Sequence, residues 1–378
     1  MPSSLFAAHH HDLAALAAEN RLRRLIPQAG ADFASNDYLA LANSPLLRRA
    51  VTDALESGIP VGSGGSRLLR GNHPEHEALE EAAARHYQSE AALYFSTGFA
   101  ANAAFFATLP QRGDLILYDA YIHASVHDGM KASRAERRAA RHNDVDDFEA
   151  QIRDWRHAGG KGTIWISIES LYSMDGDIAP LADFAALADR HDAILIVDEA
   201  HGSGVYGPGG IGLAHALAGR LNLITLHTCG KALGCEGALI CGPRIICDFL
   251  INRGRPFIFS TAPSPLMAYA VRAALHLLAS DPQRQSRLQG LVAHAESRLA
   301  ALGLPASGSQ ILPILIGDNG RTMALAASLQ QAGFDVRGIR PPTVPHGTAR
   351  LRLAITLNVD EKKINAVTDH LAAAMEDL

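Results

Sequence analysis

The sequence predicts an α/β fold: a mostly parallel sheet flanked by helices, with an N-terminal segment and a small C-terminal α+β domain. Between about residues 45 and 275, short apolar runs alternate with alanine-rich helical stretches, as in repeated strand–helix units. Asp281-Pro282 then marks a boundary, and the remainder suits a smaller α+β domain. We therefore expect an N-terminal segment over 1–44, a large α/β domain over 45–280 and a small domain over 281–378.

The predicted elements follow in chain order. An amphipathic helix over residues 5–25 precedes a brief strand at Ala31–Ala34. Continuous apolar runs of four to six residues are typical of buried strands. The strands predicted for the large sheet are Ala91–Phe95, Leu115–Tyr118, Thr163–Ile168, Ala193–Val197, Leu223–Leu226 and Ala238–Cys241. A long helix near Leu266–Leu278 follows, and the small domain is predicted to contain strands Ile311–Ile316 and Leu351–Thr356 and helices Met323–Gln331 and Glu361–Met375.

Composition narrows the class of protein. A chain of 378 residues with 48% hydrophobic and 19% charged residues is typical of a soluble globular protein with a sizeable core. The formal net charge of −5, without a long basic run, argues against a nucleic-acid partner. The N-terminus has no signal-peptide pattern, and no apolar run approaches the roughly 18 residues of a membrane span, so we expect a cytoplasmic protein that does not bind membranes.

Three patterns suggest other functions without supporting them. The four cysteines, Cys229, Cys235, Cys241 and Cys247, lie six residues apart, which matches no metal-binding motif and favours buried reduced thiols. His9–His11 are typical of a solvated helix face. The sequence GPGGIG at 207–212 resembles a dinucleotide fingerprint but does not open a helix after a strand. We expect no metal site.

Lys231 stands where the apolar run Leu223–Leu226 ends in a glycine-rich loop. Gly230 and Gly234 indicate a loop tight enough to hold an amine at the end of a buried strand. A lysine placed there suits Schiff-base chemistry, because an aldehyde cofactor needs close access to a desolvated amine. Considered alone, the evidence from Lys231 is weak, because a lysine in a glycine-rich loop is usually solvated.

A second polar group follows the apolar run Ala193–Val197. This run predicts a central parallel strand, and Asp198 and Glu199 lie at its carboxyl end. Open α/β sheets bind ligands at that end of their strands. An aspartate there can keep a pyridinium nitrogen protonated, and His201 can hydrogen-bond the phenolic oxygen of the same ring. The alternative is an aspartate that caps the next helix, with a surface histidine. The position of Asp198, 33 residues before Lys231, favours a pyridoxal phosphate site.

Three further strand ends carry groups that fit this cofactor. The turn through Gly98 leads into a helix whose N-terminal N–H groups favour a phosphate. His123, in the loop after Leu115–Tyr118, can stack on a flat ring, and Ser173 follows Thr163–Ile168 as a short polar contact. A capped helix, a lone histidine and an Asp-Gly turn are the simpler explanations. Five polar strand ends in this order favour a single site.

Eight motifs resemble those of a known family. They are SNDYLALA (Ser35–Ala42), GSGGSR (Gly62–Arg67), FSTGFAAN (Phe95–Asn102), DAYIHAS (Asp119–Ser125), SMDGD (Ser173–Asp177), DEAHGSGVYG (Asp198–Gly207), HTCGKALG (His227–Gly234) and RPPTVPHGTARLRL (Arg340–Leu353). From about Asn36 to Leu353 the chain resembles the α-oxoamine synthases, which are fold-type I pyridoxal phosphate enzymes. Ala40 replaces the usual glycine, and Cys229 replaces Phe, Ser or Leu; both replacements are small.

The resemblance implies catalytic roles for four residues. Lys231 is expected to hold pyridoxal phosphate covalently and to abstract the α-proton of the amino acid. Asp198 is expected to pair with the pyridine nitrogen and His123 to stack on the ring. His201 is expected near the phenolic oxygen, together with Ser173.

The resemblance also implies phosphate contacts in the large, cofactor-binding domain. Thr228 and the backbone N–H groups of Gly98 and Phe99 are expected to hold the phosphate. Ser260 and Thr261 are expected to reach it from a second subunit, because family active sites lie at the interface of a homodimer.

Substrate contacts are implied for three residues outside that domain. Arg352 is expected to bind the amino-acid carboxylate bidentately. Its alternation with Leu351 and Leu353 is also typical of the exposed face of an edge strand. Asn36 is expected in the substrate region, and Arg23 near the acid end of the acyl chain.

Arg340–Leu353, with the preceding ILPILIGDN (Ile311–Asn319), is most similar to the biotin-pathway member of the family. That member condenses L-alanine with pimeloyl-CoA or pimeloyl-acyl carrier protein, with loss of carbon dioxide. Other members condense glycine with acetyl, succinyl or palmitoyl thioesters, and the motifs around Lys231 hardly separate them. A regulator of the same fold would need an added DNA-binding segment, and a non-catalytic subunit would normally have lost the lysine.

Overall fold

The computed structural model describes residues 4–376, which form two compact units. The larger unit comprises residues 39–173 and 177–286. The smaller unit comprises the described residues up to Tyr38, the short segment Met174–Gly176 and the chain from Arg287 onward. The domain boundaries expected after residues 44 and 280 stay a prediction.

The helices of this part of the chain are α1 (Ala7–Ala18), α2 (Pro45–Glu56), α3 (Pro74–His86), α4 (Gly98–Thr108), α5 (Ala124–Ala132), α6 (Val145–His157), α7 (Leu181–Arg190), α8 (Arg244–Arg253), α9 (Arg255–Ile258), α10 (Pro265–Ser280), α11 (Gln283–Ala300), α12 (Asn319–Gln331) and α13 (Glu361–Glu376). The strands are β1 (Ala31–Asp32), β2 (Ala91–Phe95), β3 (Leu115–Asp119), β4 (Glu136–Ala140), β5 (Ile164–Glu169), β6 (Ile194–Asp198), β7 (Leu223–Thr228), β8 (Ala238–Gly242), β9 (Ile311–Gly317), β10 (Phe334–Asp335), β11 (Arg337–Ile339) and β12 (Ala349–Ala354). Short 3-10 turns complete the regular structure.

The larger unit is built on a sheet with the strand order β2-β8-β7-β6-β5-β3-β4. From β7 to β4 every neighbouring pair is parallel, whereas β8 runs antiparallel to both β7 and β2. The predicted fold class, a mostly parallel sheet flanked by helices, is confirmed. Because parallel strands end at the same edge, this order brings the ends of β3, β5, β6 and β7 together.

Helices cover both faces of this sheet, and β5 shows how. Trp165 of β5 packs in one apolar cluster with Phe105 and Phe106 of α4. Ile164 and Ile166 pack in a second cluster with side chains of α6 and α7. Since alternate residues of a strand point to opposite faces, the two clusters lie on opposite sides of the sheet. Both are buried, which explains the continuous apolar runs in the sequence.

One local prediction was wrong, and one strand was missed. The helix expected over residues 5–25 ends at Ala18. It stops there because Asn20 adopts a left-handed conformation (φ 55°), which cannot continue a helix. None of its residues is buried. Strand β4 was not predicted at all. Its sequence, Glu136–Ala140, is charged and largely exposed because it pairs with β3 only and forms the edge of the sheet.

The smaller unit contains an antiparallel sheet with the order β11-β12-β9 and a parallel pair between β1 and β10. The predicted strand Leu351–Thr356 is β12, two residues earlier in the chain. As the central strand it is buried along its whole length, so Arg352 does not lie on an exposed edge strand. Over the described range, no helix is long and apolar enough to cross a membrane.

Candidate active site

Lys231 lies in the loop that follows β7. Its Nζ is 2.9 Å from Nε2 of His201, a buried residue in the loop after β6. The Gly234 N–H donates to the carbonyl of Lys231, which closes a tight turn. Gly234 adopts φ +63°, and a Cβ there would lie 2.3 Å from the backbone nitrogen of Ala42, so a larger residue does not fit. The glycine-rich sequence therefore fixes the position of the lysine.

Asp198 is the last residue of β6 and is only 7% exposed. Its Oδ1 accepts the Ala200 N–H at 2.9 Å, and its Oδ2 accepts Nδ2 of Asn102 at 3.0 Å. Asn102 is buried on α4 and was not among the predicted site residues. The sequence does single out Asn102, because it is a lone amide among the apolar and small residues of that helix.

His123 caps the N-terminus of α5, in the loop after β3. Its Nδ1 lies 2.8 Å from Oγ of Ser125 and accepts the Ser125 N–H at 3.3 Å. Burial lowers the pKa of His123, an effect that the charge of Asp198 opposes and that of Lys231 reinforces. The imidazole is therefore neutral at physiological pH.

The N-terminus of α4 approaches the end of β7. A Cβ on Gly98 would lie 2.7 Å from Cγ2 of Thr228, so only glycine allows this approach. Thr97 caps the helix by accepting the Ala100 N–H at 3.0 Å. The first N–H groups of a helix, here including those of Gly98 and Phe99, have no partner within the helix and carry a partial positive charge. Such a helix N-terminus favours an anion. The methyl group of Thr228 lies against Gly98, and its hydroxyl donates to the Ala200 carbonyl at 3.3 Å.

Ser173 lies in the loop after β5 and is half-buried. Its backbone N–H donates to the carboxyl of Glu169, the last residue of β5. Glu169 was not predicted as a site residue, although it ends a buried strand as Asp198 does. Burial, together with the neighbouring charge of Asp198, raises the pKa of Glu169 well above its usual value.

His142 connects the His123 loop with the segment after Ser173. Its Nδ1 lies 2.9 Å from Oδ1 of Asp119, and its Nε2 lies 2.8 Å from Oδ2 of Asp177. Carboxylates accept hydrogen bonds, so both ring nitrogens carry protons. Burial alone would lower the pKa of His142, but the two hydrogen bonds outweigh it and raise the pKa to about 10.

Ser260 and Thr261 are exposed in the segment between α9 and α10. The next residue, Ala262, donates its N–H to the Gly65 carbonyl at 2.9 Å and accepts from Oγ of Ser63 at 2.8 Å. The GSGGSR motif thus holds the segment that carries both predicted phosphate contacts.

The predicted substrate residues belong to the smaller unit. Nη2 of Arg352 donates to Oδ1 of Asn36 at 3.0 Å, and the hydroxyl of Tyr38 donates to the same oxygen at 3.0 Å. Arg352 is 6% exposed, and Tyr38 is fully buried; Tyr38 was not predicted. Arg23 is exposed and donates to the Thr343 hydroxyl at 3.0 Å, so it does not join this cluster in the structure.

The groups gathered in the larger unit fit pyridoxal phosphate. A lysine amine matches the aldehyde, the buried carboxylate of Asp198 matches the ring nitrogen, and the helix N-terminus at Gly98 matches the phosphate.

Comparison with known proteins agrees with this fit. Residues 30–371 match the family "Aminotransferase class I and II". The 8-amino-7-oxononanoate synthase of Anaeromyxobacter dehalogenans (strain 2CP-1) is 43% identical over 348 residues, covering 91% of this chain and 86% of the relative.

Solved structures extend the comparison. Serine palmitoyltransferase from S. paucimobilis, with a pyridoxal phosphate–myriocin adduct bound, superposes with a TM-score of 0.88 at 26% identity and covers 100% of this chain and 99% of that one. The 8-amino-7-oxononanoate synthase of Francisella tularensis has a TM-score of 0.77 at 28% identity, over 92% of this chain and 98% of that one. The chain therefore belongs to the aminotransferase class I and II family, among the pyridoxal phosphate-dependent acyltransferases related to 8-amino-7-oxononanoate synthase.

Proposed function

We propose that this enzyme condenses L-alanine with a pimeloyl thioester, releasing carbon dioxide and a thiol, to form 8-amino-7-oxononanoate for biotin biosynthesis. The observation that carries the proposal is the 43% identity, over 91% of the chain, to a synthase of that name. The structural neighbour named serine palmitoyltransferase is only 26% identical, which favours the first assignment over a serine-dependent one.

Lys231 is the residue to which we assign proton transfer. Bound pyridoxal phosphate supplies an electron sink for the bond electrons released at the α-carbon of the amino acid. The Lys231 amine would hold the cofactor and, when it is free, would remove the α-proton of the amino acid. His201, 2.9 Å from Nζ, orients the amine and can share its proton. Borohydride reduction followed by peptide mapping tests this role, because the pyridoxyl label is expected on Lys231 and on no other lysine.

Asp198 supports that chemistry by its charge. Its two oxygens accept hydrogen bonds from the Ala200 N–H and the Asn102 amide, which fixes the carboxylate plane. A carboxylate held in this way can keep a pyridine nitrogen protonated. His123 is assigned to stack on the ring, and His201 with Ser173 to bind its phenolic oxygen.

The phosphate contacts imply a dimer. We assign Gly98, Phe99 and Thr228 to the phosphate contacts contributed by one chain, because α4 begins at Gly98 beside Thr228. We assign Ser260 and Thr261 to the phosphate of a partner chain, since both are exposed. The active enzyme is accordingly a homodimer. Its mass in solution, measured by light scattering, tests this assignment.

Arg352 is assigned to the alanine carboxylate. A guanidinium binds a carboxylate through two parallel hydrogen bonds, and Asn36 and Tyr38 hold it in place. A carbon–carbon bond then forms between the α-carbon and the thioester carbonyl, and the thiol leaves. The original carboxylate departs as carbon dioxide, and a proton takes its place. Arg23 is assigned to the carboxylate at the far end of the acyl chain.

The substrate assignment is tested with a panel of amino acids and thioesters. L-Alanine, glycine and L-serine are each combined with pimeloyl, acetyl, succinyl and palmitoyl thioesters, and the products are identified by mass. We expect alanine with pimeloyl thioester to give the highest kcat/KM, whether the carrier is CoA or acyl carrier protein. Faster turnover of glycine with acetyl thioester, or of serine with palmitoyl thioester, contradicts the substrate assignment.

A further inference from the structure

A continuous chain of hydrogen bonds joins Asp198 to His123. Asn102 Nδ2 lies 3.0 Å from Oδ2 of Asp198 and 3.1 Å from Oγ of Ser125, and Ser125 Oγ lies 2.8 Å from Nδ1 of His123. Asn102 and Ser125 are 3% and 0% exposed, so water does not compete for these contacts. All four residues belong to the larger unit.

The direction of each hydrogen bond follows from the chemistry of the groups. The Asp198 carboxylate accepts only, so the side-chain nitrogen of Asn102, and not its oxygen, must face it. That same NH2 group uses its second proton toward Ser125, whose oxygen accepts it. The single hydroxyl proton of Ser125 is then free to donate to Nδ1 of His123.

His123 therefore receives two hydrogen bonds at Nδ1. One comes from the Ser125 hydroxyl at 2.8 Å and the other from the Ser125 N–H at 3.3 Å. A ring nitrogen that accepts hydrogen bonds carries no proton, so the neutral ring holds its proton on Nε2. No hydrogen bond from Nε2 of His123 to another residue is found in the described part of the chain, which leaves this N–H for a ligand.

We propose that Asn102 and Ser125 are positioning residues that fix His123 as the neutral tautomer with the proton on Nε2, so that it presents an N–H donor to an oxygen atom of the substrate. This inference rests on the proposed function for the identity of that substrate. The tautomer itself is a property of the protein alone.

The neutral tautomer has a physical advantage in this site. A ring stacked on a protonated pyridine is repelled if it is itself cationic, whereas a neutral imidazole is not. The charged groups that act on His123 are Asp198, which favours its protonation, and Lys231, which opposes it. The Ser125 hydroxyl opposes protonation at Nδ1 as well, because an imidazolium cannot accept its hydrogen bond. The His123 ring therefore stays neutral although the negative charge of Asp198 favours its protonation.

The tautomer is measured directly by NMR. In protein labelled with 15N-histidine, long-range proton–nitrogen correlations distinguish Nδ1–H, Nε2–H and the imidazolium, and a His123→Gln variant assigns the signal. We expect wild-type His123 to show Nε2–H at pH 7.5, with or without pyridoxal phosphate. An Nδ1–H or imidazolium pattern in the wild-type protein overturns the proposal.

Variants test which residues impose the tautomer. Ser125→Ala removes the hydroxyl, so we expect a mixture of tautomers, a raised pKa of His123 and a fall in kcat/KM of about tenfold, the lower end of the loss seen when the hydrogen-bond partner of a metal-binding histidine is removed. Ser125→Thr keeps the hydroxyl and is expected to restore the Nε2–H pattern. Ser133→Ala, at the other end of α5, is the matched control and is expected to change nothing. A wild-type pattern in Ser125→Ala overturns the role of Ser125.

Asn102→Ala tests the first link in the same way. Without the amide, the Ser125 hydroxyl proton is free to turn toward Asp198, and we expect the Nδ1–H form of His123 to appear. A wild-type NMR pattern in Asn102→Ala overturns the role of Asn102. Because these spectra are recorded without substrate, a failure of the alanine and pimeloyl assignment would leave them unchanged, so the two proposals fail separately.

Discussion

Glu169 and Asp198 are directly paired residues of the neighbouring parallel strands β5 and β6, and both are buried. Oε1 of Glu169 has no hydrogen-bond partner among the residues that the structure describes. Burial and the adjacent Asp198 raise the pKa of Glu169 well above its usual value, so its carboxyl group is protonated when a free glutamate is ionised. The site thus keeps one negative charge at this pair of strand ends instead of two.

Glu169→Gln is expected to change how stability depends on pH. A carboxyl whose pKa is higher in the folded than in the unfolded chain stabilises the fold below the unfolded value, and that contribution is lost as pH rises toward the folded value. As pH rises above the usual pKa of a glutamate, wild type should therefore lose stability at up to about 1.4 kcal/mol per pH unit from this group. The glutamine variant should lack this slope. Urea unfolding at several pH values measures it, and parallel slopes would show that Glu169 is ionised in both states.

Asp198→Asn is expected to retain pyridoxal phosphate but to lower kcat about a hundredfold or more, the size of effect seen when an electrostatic partner of the reacting group is removed. The reason is that an amide cannot hold a ring nitrogen protonated. Bound cofactor is measured by absorbance and kcat with the best substrate pair. Asp183→Asn on α7 serves as the control. If Asp198→Asn turned over nearly as fast as wild type, Asp198 would only cap the backbone after β6.

Arg352→Lys is expected to weaken alanine binding by at least about tenfold, because lysine keeps the charge but loses the paired hydrogen bonds to the carboxylate. The alanine-dependent change in cofactor absorbance measures this affinity, and cofactor content should not change. Arg337→Lys is a matched control, since Arg337 is the cross-strand neighbour of Arg352 and pairs with Asp335. Equal affinities in the two variants would argue against the carboxylate assignment.

His142→Gln is expected to cost about 2 kcal/mol of stability at pH 7, as for hydrogen bonds to a charged group. In the folded wild-type protein the pKa of His142 is raised from 6.5 to about 10. The contribution of His142 to the free energy of unfolding is therefore complete below pH 6.5 and is lost as pH rises through 10. The titratable groups around the ring are Asp119, Asp177, Tyr121 and Tyr172. The difference from wild type should therefore shrink toward pH 10. Thermal unfolding measures it, with the exposed His157→Gln as control, and a gap that does not depend on pH would exclude a charged His142.

The sequence predicts those features of the fold that have local signals. Continuous apolar runs give the buried strands, and the polar residues that end them, Asp198 and Lys231, are visible as breaks in those runs. Strand β4 has no such signal, because an edge strand is half-solvated and its sequence is charged. The end of α1 was missed because it depends on the backbone of a single residue, Asn20.

The site residues that the sequence did not predict were missed for a different reason. Asn102, Glu169 and Tyr38 matter through partners far away in the chain: Asp198 for the first two, and Arg352 for Tyr38. A pattern of spacing shows which residues are apolar or polar but not which polar groups meet. The assigned roles of Lys231, His123 and the other site residues stay predictions until the variants are measured.

The distance along the chain between Asn102 and Asp198, 96 residues, has a consequence for synthesis of the protein. Strand β6 completes the hydrogen bonds of Asn102, and the Lys231 loop emerges from the ribosome later still. Contacts of such long sequence separation form late because they close large loops. A nascent chain that ends before Lys231 lacks the amine, so it cannot capture the aldehyde covalently at this site. Covalent capture of the cofactor at Lys231 therefore follows the synthesis of β2 to β7 and cannot guide the folding of a shorter nascent chain.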